Sequence, residues 1–455
     1  MKIGSKQPKL ERDINLFEAT IYGIGLILGA GIYALIGKVY GTAGSASWIS
    51  FLVAAGIALM TGLSYAELAS TFPKSAAEFT YVKEAFPTRK AFHFTVGWVL
   101  IFSGFISTAT VALGFAGYFI GFMGAVNPAS ATIVVSIVLI VLLSLVNFIG
   151  IEESAKLNII FTFIEAAGII FIIIIGFMNL GNSRGVDFFA VPNGTNFFLA
   201  IMTAASLIFF AYIGFEDIAN IAEETENPTK TIPRALMLSI LVTTILYMLV
   251  AFAISSFDPA TLDASPNPFA TIASSILGSD LAIIIISIVA LFATANTVLV
   301  MLIVSSRMLY GMSNGGALPK IFSKIHRRTH TPWVAVIFTM IISISFLFLG
   351  DIEIVARASI FSVLLVFFIV NVTLIYLRKS QPELERPFKV KPTIKWMPLF
   401  PLIGAITCFL LLIMFADFTT WDYYFLLLIQ LIIIVIGLGL YFIWEWYKRR
   451  HPSSL

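Results

Sequence analysis

The chain has 455 residues, of which 59% are hydrophobic and only 12% are charged. A water-soluble domain is typically about 45–50% apolar and about 25% charged, so this composition excludes a soluble globular protein and indicates an integral membrane protein. The net charge of +3 is small, and its distribution does not resemble a nucleic-acid-binding surface. The single cysteine, Cys408, excludes an intrachain disulfide.

Apolar segments long enough to cross a membrane recur along the whole chain. A spanning helix needs about 20 apolar residues, and the sequence predicts an all-α protein with twelve such spans. They are 17–40, 45–70, 92–121, 131–150, 155–178, 197–222, 233–256, 279–308, 332–350, 354–377, 398–416 and 422–446. The first segment has span length and lacks a following cleavage site, so we expect it to be retained rather than removed as a signal peptide.

Glycine interrupts the first and sixth predicted spans at similar depth. The first break is Gly29-Ala30-Gly31, and the second is Ala211-Tyr212-Ile213-Gly214. Lipid cannot satisfy the freed backbone groups, so such a break is tolerated only where protein or a polar cavity surrounds it. One break opens the first five spans and the other opens the next five, which indicates a transporter with a central binding site.

The positions of lysine and arginine predict how the chain is oriented. If the N-terminus is cytoplasmic, 25 of the 28 basic residues lie in cytoplasmic segments, and only Lys38, Arg184 and Arg357 lie outside. This asymmetry is typical of a membrane protein with both termini in the cytoplasm.

Three sequence stretches together resemble the amino acid permeases of the amino acid-polyamine-organocation superfamily. They are Gly29-Ala30-Gly31-Ile32-Tyr33, the exit of span 2 from Tyr65 to Phe79, and the exit of span 6 from Phe209 to Ala235, with its Asn-Pro-x-Lys-x-Ile-Pro-Arg-Ala motif. One departure is Ala76-Ala77, where many members carry two glycines. The resemblance covers essentially the whole chain.

This resemblance implies a five-plus-five inverted repeat with broken helices 1 and 6, followed by two accessory helices. The transport core is then 1–377, with repeats at about 14–178 and 196–377. Residues 378–397 form a cytoplasmic linker, and 398–455 carry helices 11 and 12 and a basic tail. The expected location is the cell membrane.

The two breaks offer complementary poles for an amino acid. Backbone amides at Gly29, Ala30 and Gly31 begin a half-helix, where the positive dipole end favours a carboxylate, and the resemblance assigns these positions to the substrate carboxylate. Carbonyls at Phe210, Ala211 and Ile213 end a half-helix and could accept hydrogen bonds from an ammonium group. Phe210 resembles the family aromatic that covers the substrate from outside, although simple packing is the alternative.

Two further sets of polar residues lie within predicted spans. Glu165 lies about 16 Å into span 5, close to the midplane, where a carboxylate costs at least about 2.5–3.5 kcal/mol. The resemblance places it where many sodium-independent members carry a lysine. A protonated Glu165 is a competent proton carrier, a structural hydrogen-bonding role is the alternative, and Thr294, Asn296 and Thr297 in span 8 are its possible neighbours in a proton or Na+ site.

Other polar residues allow two interpretations each. Thr108 in span 3 either lines the pocket or packs within the bundle, and Glu216 and Asp217 are expected to stabilise the start of the inner half-helix rather than touch substrate. The run Glu223, Glu224 and Glu226 is either a solvated helix end or a gate paired to nearby basic residues. Thr231 is expected to cap span 7.

The sequence therefore predicts a secondary active transporter of amino acids that works by alternating access, by proton coupling or exchange. Polyamines or other organic amines are the alternative substrates, and Na+ is the alternative coupling ion. No enzyme motif, metal-ligand spacing or cofactor motif is found in the sequence, so no cofactor is expected. A channel would be expected to show a pore loop or a charged ring.

Overall fold

The computed structural model describes residues 10, 12–123, 129–182, 185–265, 267–278, 280–348, 352–414 and 421–450. Helices dominate these residues, as predicted. They are α1 (Leu16–Ala43), α2 (Ser47–Thr71), α3 (Ala77–Ala85), α4 (Lys90–Phe122), α5 (Ala129–Ile149), α6 (Ile151–Asn182), α7 (Phe197–Phe209), α8 (Pro228–Ala253), α9 (Pro259–Asp263), α10 (Pro268–Leu277), α11 (Asp280–Asn314), α12 (Trp333–Phe346), α13 (Ile352–Ser380), α14 (Leu399–Met414) and α15 (Trp421–Arg450).

Short irregular elements connect several of these helices. Tight 3₁₀ turns lie at Gly44–Ala46, Phe210–Tyr212, Phe215–Glu224 and Lys320–Ser323. Strands β1 (Thr393–Ile394) and β2 (Met397–Pro398) form a small antiparallel hairpin in the segment between α13 and α14.

Ten segments of the described chain are long and apolar enough to cross a membrane, and they correspond to predicted spans 1 to 8, 10 and 12. The helices at predicted spans 9 and 11 are shorter. Helix α12 has 14 residues and is therefore about 21 Å long, which is shorter than the hydrocarbon core of a bilayer, about 30 Å thick. The predicted ends of these two spans, at 349–350 and 415–416, lie outside the described residues.

The outer helices carry apolar side chains on the faces that leave the bundle. Helix α5 exposes one such row at intervals of three or four residues, namely Val134, Val138, Leu142, Leu145 and Ile149. An apolar row that faces outward is typical of a helix in contact with lipid. Helix α1 is the opposite case, because it packs among α6, α7, α8 and α11 at the centre of the bundle.

Equivalent spans of the two predicted repeats pack against each other. Helix α2 packs along α8, α4 along α11, and α1 against α7. These are spans 2 and 7, 3 and 8, and 1 and 6. The pairing brings the two glycine breaks to the same place in the bundle.

The end of the bundle that contains Ile14 is called the N-terminal face here, and the opposite end the distal face. At the N-terminal face, the segment before α1 pairs with the end of span 6, because Ile14 forms a parallel bridge with Thr225. At the distal face, the hydroxyl of Tyr40 donates to the carbonyl of Phe257 at 3.0 Å, and α9 packs on the end of α1.

The start of span 7 differs from the sequence prediction. Helix α8 begins at Pro228 after Asn227, which has a φ of 44° and makes no side-chain cap. Thr231 therefore lies inside the first turn and is not the cap. Proline at the first helical position lacks only an N–H that would have no partner there, and this explains why the helix starts earlier than predicted.

Ala76 occupies the position where the resemblance expected a glycine. Its φ is 54°, in the left-handed region, and α3 begins at the next residue. A left-handed conformation costs an alanine roughly 1–2 kcal/mol. The conformation explains why glycine suits this position, and it sets the direction in which α3 packs back onto the bundle.

Candidate functional site

The first break lies within α1 at Gly29. Its φ of −5° and ψ of −162° are not helical, and helical geometry resumes after it. The backbone amides that follow Gly29 therefore begin a new half-helix, whose first N–H groups have no intrahelical partner. The backbone of Ala30 belongs to this turn, but its side chain lies outside the described residues.

The second break separates α7 from the 3₁₀ segment that continues span 6. Ile213 is extended, with a ψ of 136°, and Gly214 has a φ of 122° that favours glycine. The N–H of Gly214 donates to Oε2 of Glu216 at 2.8 Å. Glu216 thus stabilises the start of the inner half of span 6, as predicted.

The two breaks touch each other. A Cβ atom added at Gly31 would lie 3.0 Å from Cα of Ala211, and one at Gly214 would lie 3.2 Å from the carbonyl oxygen of Leu26. A Cβ at Gly29 would lie 2.7 Å from Oγ1 of Thr297 on α11. Glycine therefore permits a close approach of spans 1, 6 and 8 at one point.

Tyr247 on α8 joins the two breaks through one hydroxyl group. This hydroxyl donates to the carbonyl of Ile27 at 2.6 Å and lies 3.3 Å from the carbonyl of Ala211. Both carbonyls belong to the broken turns, and the side chain of Tyr247 is fully buried. The sequence analysis missed Tyr247, because its only signal was a polar atom within span 7.

A cavity of about 350 Å³ lies where the breaks meet. Its walls come from spans 1, 3, 6 and 8. They comprise Leu26, Ile27, Gly29, Gly31, Tyr33, Ser107, Thr110, Val111, Gly114, Tyr118, Phe210, Ala211, Ile213, Ala290, Ala293, Thr294, Thr297 and Met301. Pockets that bind small molecules are typically apolar with a few polar groups, and these walls fit that description.

The predicted site residues divide into those that line this cavity and those that do not. Seven of them line it, namely Gly29, Gly31, Phe210, Ala211, Ile213, Thr294 and Thr297. Thr108 does not, because it is fully buried and its hydroxyl donates to the carbonyl of Gly104 at 2.8 Å. Its neighbours Ser107 and Thr110 take the lining positions instead.

Two of the three predicted carbonyl acceptors already receive a hydrogen bond. The carbonyl of Phe210 accepts from the N–H of Ile213 at 3.2 Å, and that of Ala211 accepts from Tyr247. A carbonyl oxygen has two lone pairs. Each can therefore accept one further bond, for example from an ammonium group in the cavity.

Glu165 and Asn296 lie behind the cavity wall. The side chain of Glu165 is fully buried, and neither carboxyl oxygen has a hydrogen-bond partner among the described residues. Asn296 faces it across the α6–α11 interface and contacts Asn158 and Thr162 at 2.8 and 3.2 Å. Glu165 is linked to the cavity through its backbone carbonyl, which accepts from the hydroxyl of Tyr33 at 3.2 Å.

An ion pair and a strand-like contact connect several elements at the N-terminal face of the bundle. Nη2 of Arg307 on α11 lies 2.9 Å from Oε1 of Glu224, and both side chains are almost fully buried. The carbonyl of Glu224 accepts from the amides of Asp13 and Ile14. The solvated-end interpretation is therefore wrong for Glu224, which is buried and paired, and its role as a gate stays a prediction.

A second buried ion pair lies at the same face. Glu67 on α2 accepts from Arg378 at the end of α13, and its Oε2 also accepts from the amide of Val390 at 2.8 Å. Arg386 lies 3.4 Å from the same carboxylate. The segment after α13 is thereby attached to the end of span 2.

The chain is similar in sequence to proteins that are named as permeases and transporters. A sequence model described as amino acid permease matches residues 14–439. The branched-chain amino acid permease BcaP of Bacillus subtilis is 30% identical over 99% of this chain and 96% of its own length. The methylthioribose transporter of the same organism is 28% identical over 98% and 95%, and the human cystine/glutamate transporter is 32% identical over 89% and 82%.

Proposed function

The chain belongs to the amino acid permease family, and we propose that it is a secondary active transporter that carries amino acids by alternating access. The observation that carries this proposal is the meeting of the two broken spans at one cavity. Gly29 and Gly31 of the span 1 break line the same cavity as Phe210, Ala211 and Ile213 of the span 6 break, so amides of the first and carbonyls of the second are within reach of one bound molecule. Such a pair of poles fits the carboxylate and the ammonium group of an amino acid.

The proposed architecture is the family arrangement of two inverted five-span repeats and two accessory helices. The pairing of α2 with α8 and of α4 with α11 supports it, because pseudo-equivalent spans are expected to meet at the axis that relates the repeats. The core is 1–377, 378–397 is the linker, and 398–455 is the accessory part. Spans 1, 2, 6 and 7 rock against the remaining core spans.

The proposed orientation places the N-terminal face in the cytoplasm of a cell membrane. The distribution of lysine and arginine supports this assignment. In this orientation the ion pair of Arg307 with Glu224 lies on the cytoplasmic side of the cavity.

The uncharged walls favour an amino acid with a neutral, apolar side chain. None of the described residues that line the cavity carries a charge, and a cationic side chain would lose hydration there without gaining a partner. The name of the BcaP relative fits this choice. The same argument weighs against polyamines, which carry several charges.

Glu165 is the proposed carrier of the coupling proton. Its burial without a hydrogen-bond partner supports a neutral, protonated form, and Tyr33 connects its helix to the substrate cavity. Thr294, Asn296 and Thr297 are the neighbours that an Na+ ion would use in the alternative coupling scheme.

The test is uptake of labelled leucine into proteoliposomes with separate pH and Na+ gradients. A wild-type protein should accumulate leucine under an inward proton gradient without Na+. Glu165→Gln should retain leucine binding and exchange but lose accumulation. Glu18→Gln, which changes a carboxylate in the first turn of α1, is the matched control and should behave as wild type. Full proton-driven accumulation by Glu165→Gln would exclude this role, and dependence of the wild type on Na+ would favour the sodium alternative.

A further inference from the structure

A second, smaller chamber adjoins the main cavity and is not used by the function proposed above. The two share the wall residues Ser107, Ile213 and Met301. The chamber encloses about 60 Å³, enough for one or a few water molecules. It lies toward the N-terminal face, because its span 6 residues follow the break at Gly214 and precede Glu224.

Two carboxyl groups line this chamber and a third lies close to them. Glu216 and Asp217 contribute to the walls. Glu78 on α3 is fully buried and lies near enough to repel the charge of both. Three carboxyl groups from two separate elements thus converge at one place beneath the substrate cavity.

The groups that surround these carboxyls offer no countercharge. Tyr65 on α2 and Asn220 in span 6 are the polar side chains next to Glu78, and none of the three carboxyls is in an ion pair with a lysine or arginine of the described residues. Lys83 and His93, from α3 and α4, act on each other but not on Glu78.

The other buried carboxylates of the N-terminal face differ in this respect. Glu67 pairs with Arg378, and Glu224 pairs with Arg307. Such pairs can remain ionised because each charge has a partner. The charges of Glu67 and Glu224 are thus each balanced by an arginine on another helix. The cluster of Glu78, Glu216 and Asp217 has no such arginine partner among the described residues.

Unsatisfied polar atoms at the chamber point to a ligand. The hydroxyl of Ser305, which lines the chamber and is 1% exposed, has no hydrogen-bond partner among the described residues. Glu78 does not line the chamber itself, and neither of its carboxyl oxygens lies within normal hydrogen-bond geometry of a described residue, although Tyr65 and Asn220 are its polar neighbours. A buried polar atom without a partner is unfavourable, so we expect protons or water to satisfy these atoms.

We propose that the chamber and the adjoining Glu78 form a proton-binding site, separate from Glu165, in which Glu78, Glu216 and Asp217 hold at least one shared proton in the conformation described here. Like charges in a water-poor environment cannot all persist, so their protons are taken up as a group. Opening of the N-terminal face would admit water and allow the proton to leave on that side. This role in the transport cycle rests on the proposed function, but proton binding at the chamber does not.

The test is infrared difference spectroscopy of the full-length protein in lipid, titrated from about pH 6 to about pH 9. Exposed carboxyls are already ionised in this range, so the loss of the protonated-carboxyl stretching band reports buried groups. We expect Glu78→Gln and Asp217→Asn each to remove part of this band. Glu84→Gln changes an exposed residue of α3, the helix that carries Glu78, and should leave the band unchanged. Repeating these measurements in a protein that also carries Glu165→Gln removes the contribution of Glu165 to the band.

Three results bear on the proposal in different ways. Loss of band intensity in both chamber variants, with none in Glu84→Gln, supports it. An unchanged band in both folded chamber variants would overturn it, because the carboxyls would then already be ionised. Repeating the titration with NaCl in place of choline chloride tests the ligand, since displacement of the band by Na+ would overturn the assignment to a proton. None of these readouts requires transport, so a failure of amino acid uptake remains distinguishable.

Discussion

Gly31 lies where the backbones of the two broken spans approach each other closely. We predict that Gly31→Val abolishes substrate binding in a folded protein, because its Cβ would lie 3.0 Å from the backbone of Ala211 and its branches would fill the cavity. Gly56→Val is the matched control, since a Cβ at Gly56 would contact nothing within 4 Å. Leucine binding measured by isothermal calorimetry distinguishes them, and wild-type affinity in folded Gly31→Val would place the site elsewhere.

Tyr247 tests whether the two breaks must be held together. Tyr247→Phe removes the hydroxyl that bonds the carbonyls of Ile27 and Ala211, and the lost bond should weaken leucine binding by about tenfold, equivalent to about 1.4 kcal/mol. Tyr40→Phe removes another buried hydroxyl bond, to Phe257 at the distal face, and should lower the melting temperature without changing affinity. Equal affinities in Tyr247→Phe and wild type would show that the hydroxyl does not position the site.

Helix α3, which carries Glu78, leads to a prediction of how the stability of the folded protein depends on pH. Burial raises the pKa of Glu78 from 4.5 to about 7. The folded state therefore binds the proton of the Glu78 carboxyl more tightly than the unfolded state does. The resulting stabilisation of the folded state is fully present below about pH 4.5 and is lost as the pH rises through about 7. The loss amounts to about 3 kcal/mol.

Thermal unfolding in detergent between pH 5 and 8 measures this effect. The melting temperature of the wild type should fall as pH rises over this range. Glu78→Gln should flatten the fall, whereas Glu84→Gln on the exposed side of α3 should keep it. A fall of the same size in Glu78→Gln would show that other groups cause it.

The elements also show how far the sequence could predict the structure. Glycine in an otherwise apolar span is a local signal, and both breaks lie where it predicted them, at Gly29 and between Ile213 and Gly214. The start of α8 was misplaced, because the left-handed conformation of Asn227 that allows Pro228 to begin the helix depends on its surroundings.

Pairings between distant residues could not be predicted in this way. Glu224 and Arg307 are 83 residues apart, and Tyr247 reaches a carbonyl 220 residues away. Neither pairing leaves a periodic pattern in the sequence. The sequence analysis likewise named Thr108 and missed Ser107 and Thr110, because the face that span 3 turns to the cavity depends on its packing against other helices such as α11.

At the scale of the whole molecule, the two features that matter for transport are the central cavity and the ion pair at the N-terminal face. The broken halves of spans 1 and 6 meet at the cavity, and the pair of Arg307 with Glu224 lies below it at the N-terminal face. Alternating access requires this pair to separate when the N-terminal face opens. Removing one partner of a buried ion pair costs several kcal/mol, so under the proposed cycle we expect this pair to favour the conformation in which it is formed.

Competition against labelled leucine uptake in proteoliposomes tests most directly whether the amides of the span 1 break recognise the substrate carboxylate. The competitors are unlabelled leucine, its methyl ester and isopentylamine, the amine that remains after decarboxylation. The account predicts that leucine competes about 10- to 150-fold better than either analogue, because each lacks the charged carboxylate and so loses roughly 1.5–3 kcal/mol of charge-assisted bonding. Equal competition by isopentylamine would contradict the account, since the amides after Gly29 would then have no part in binding.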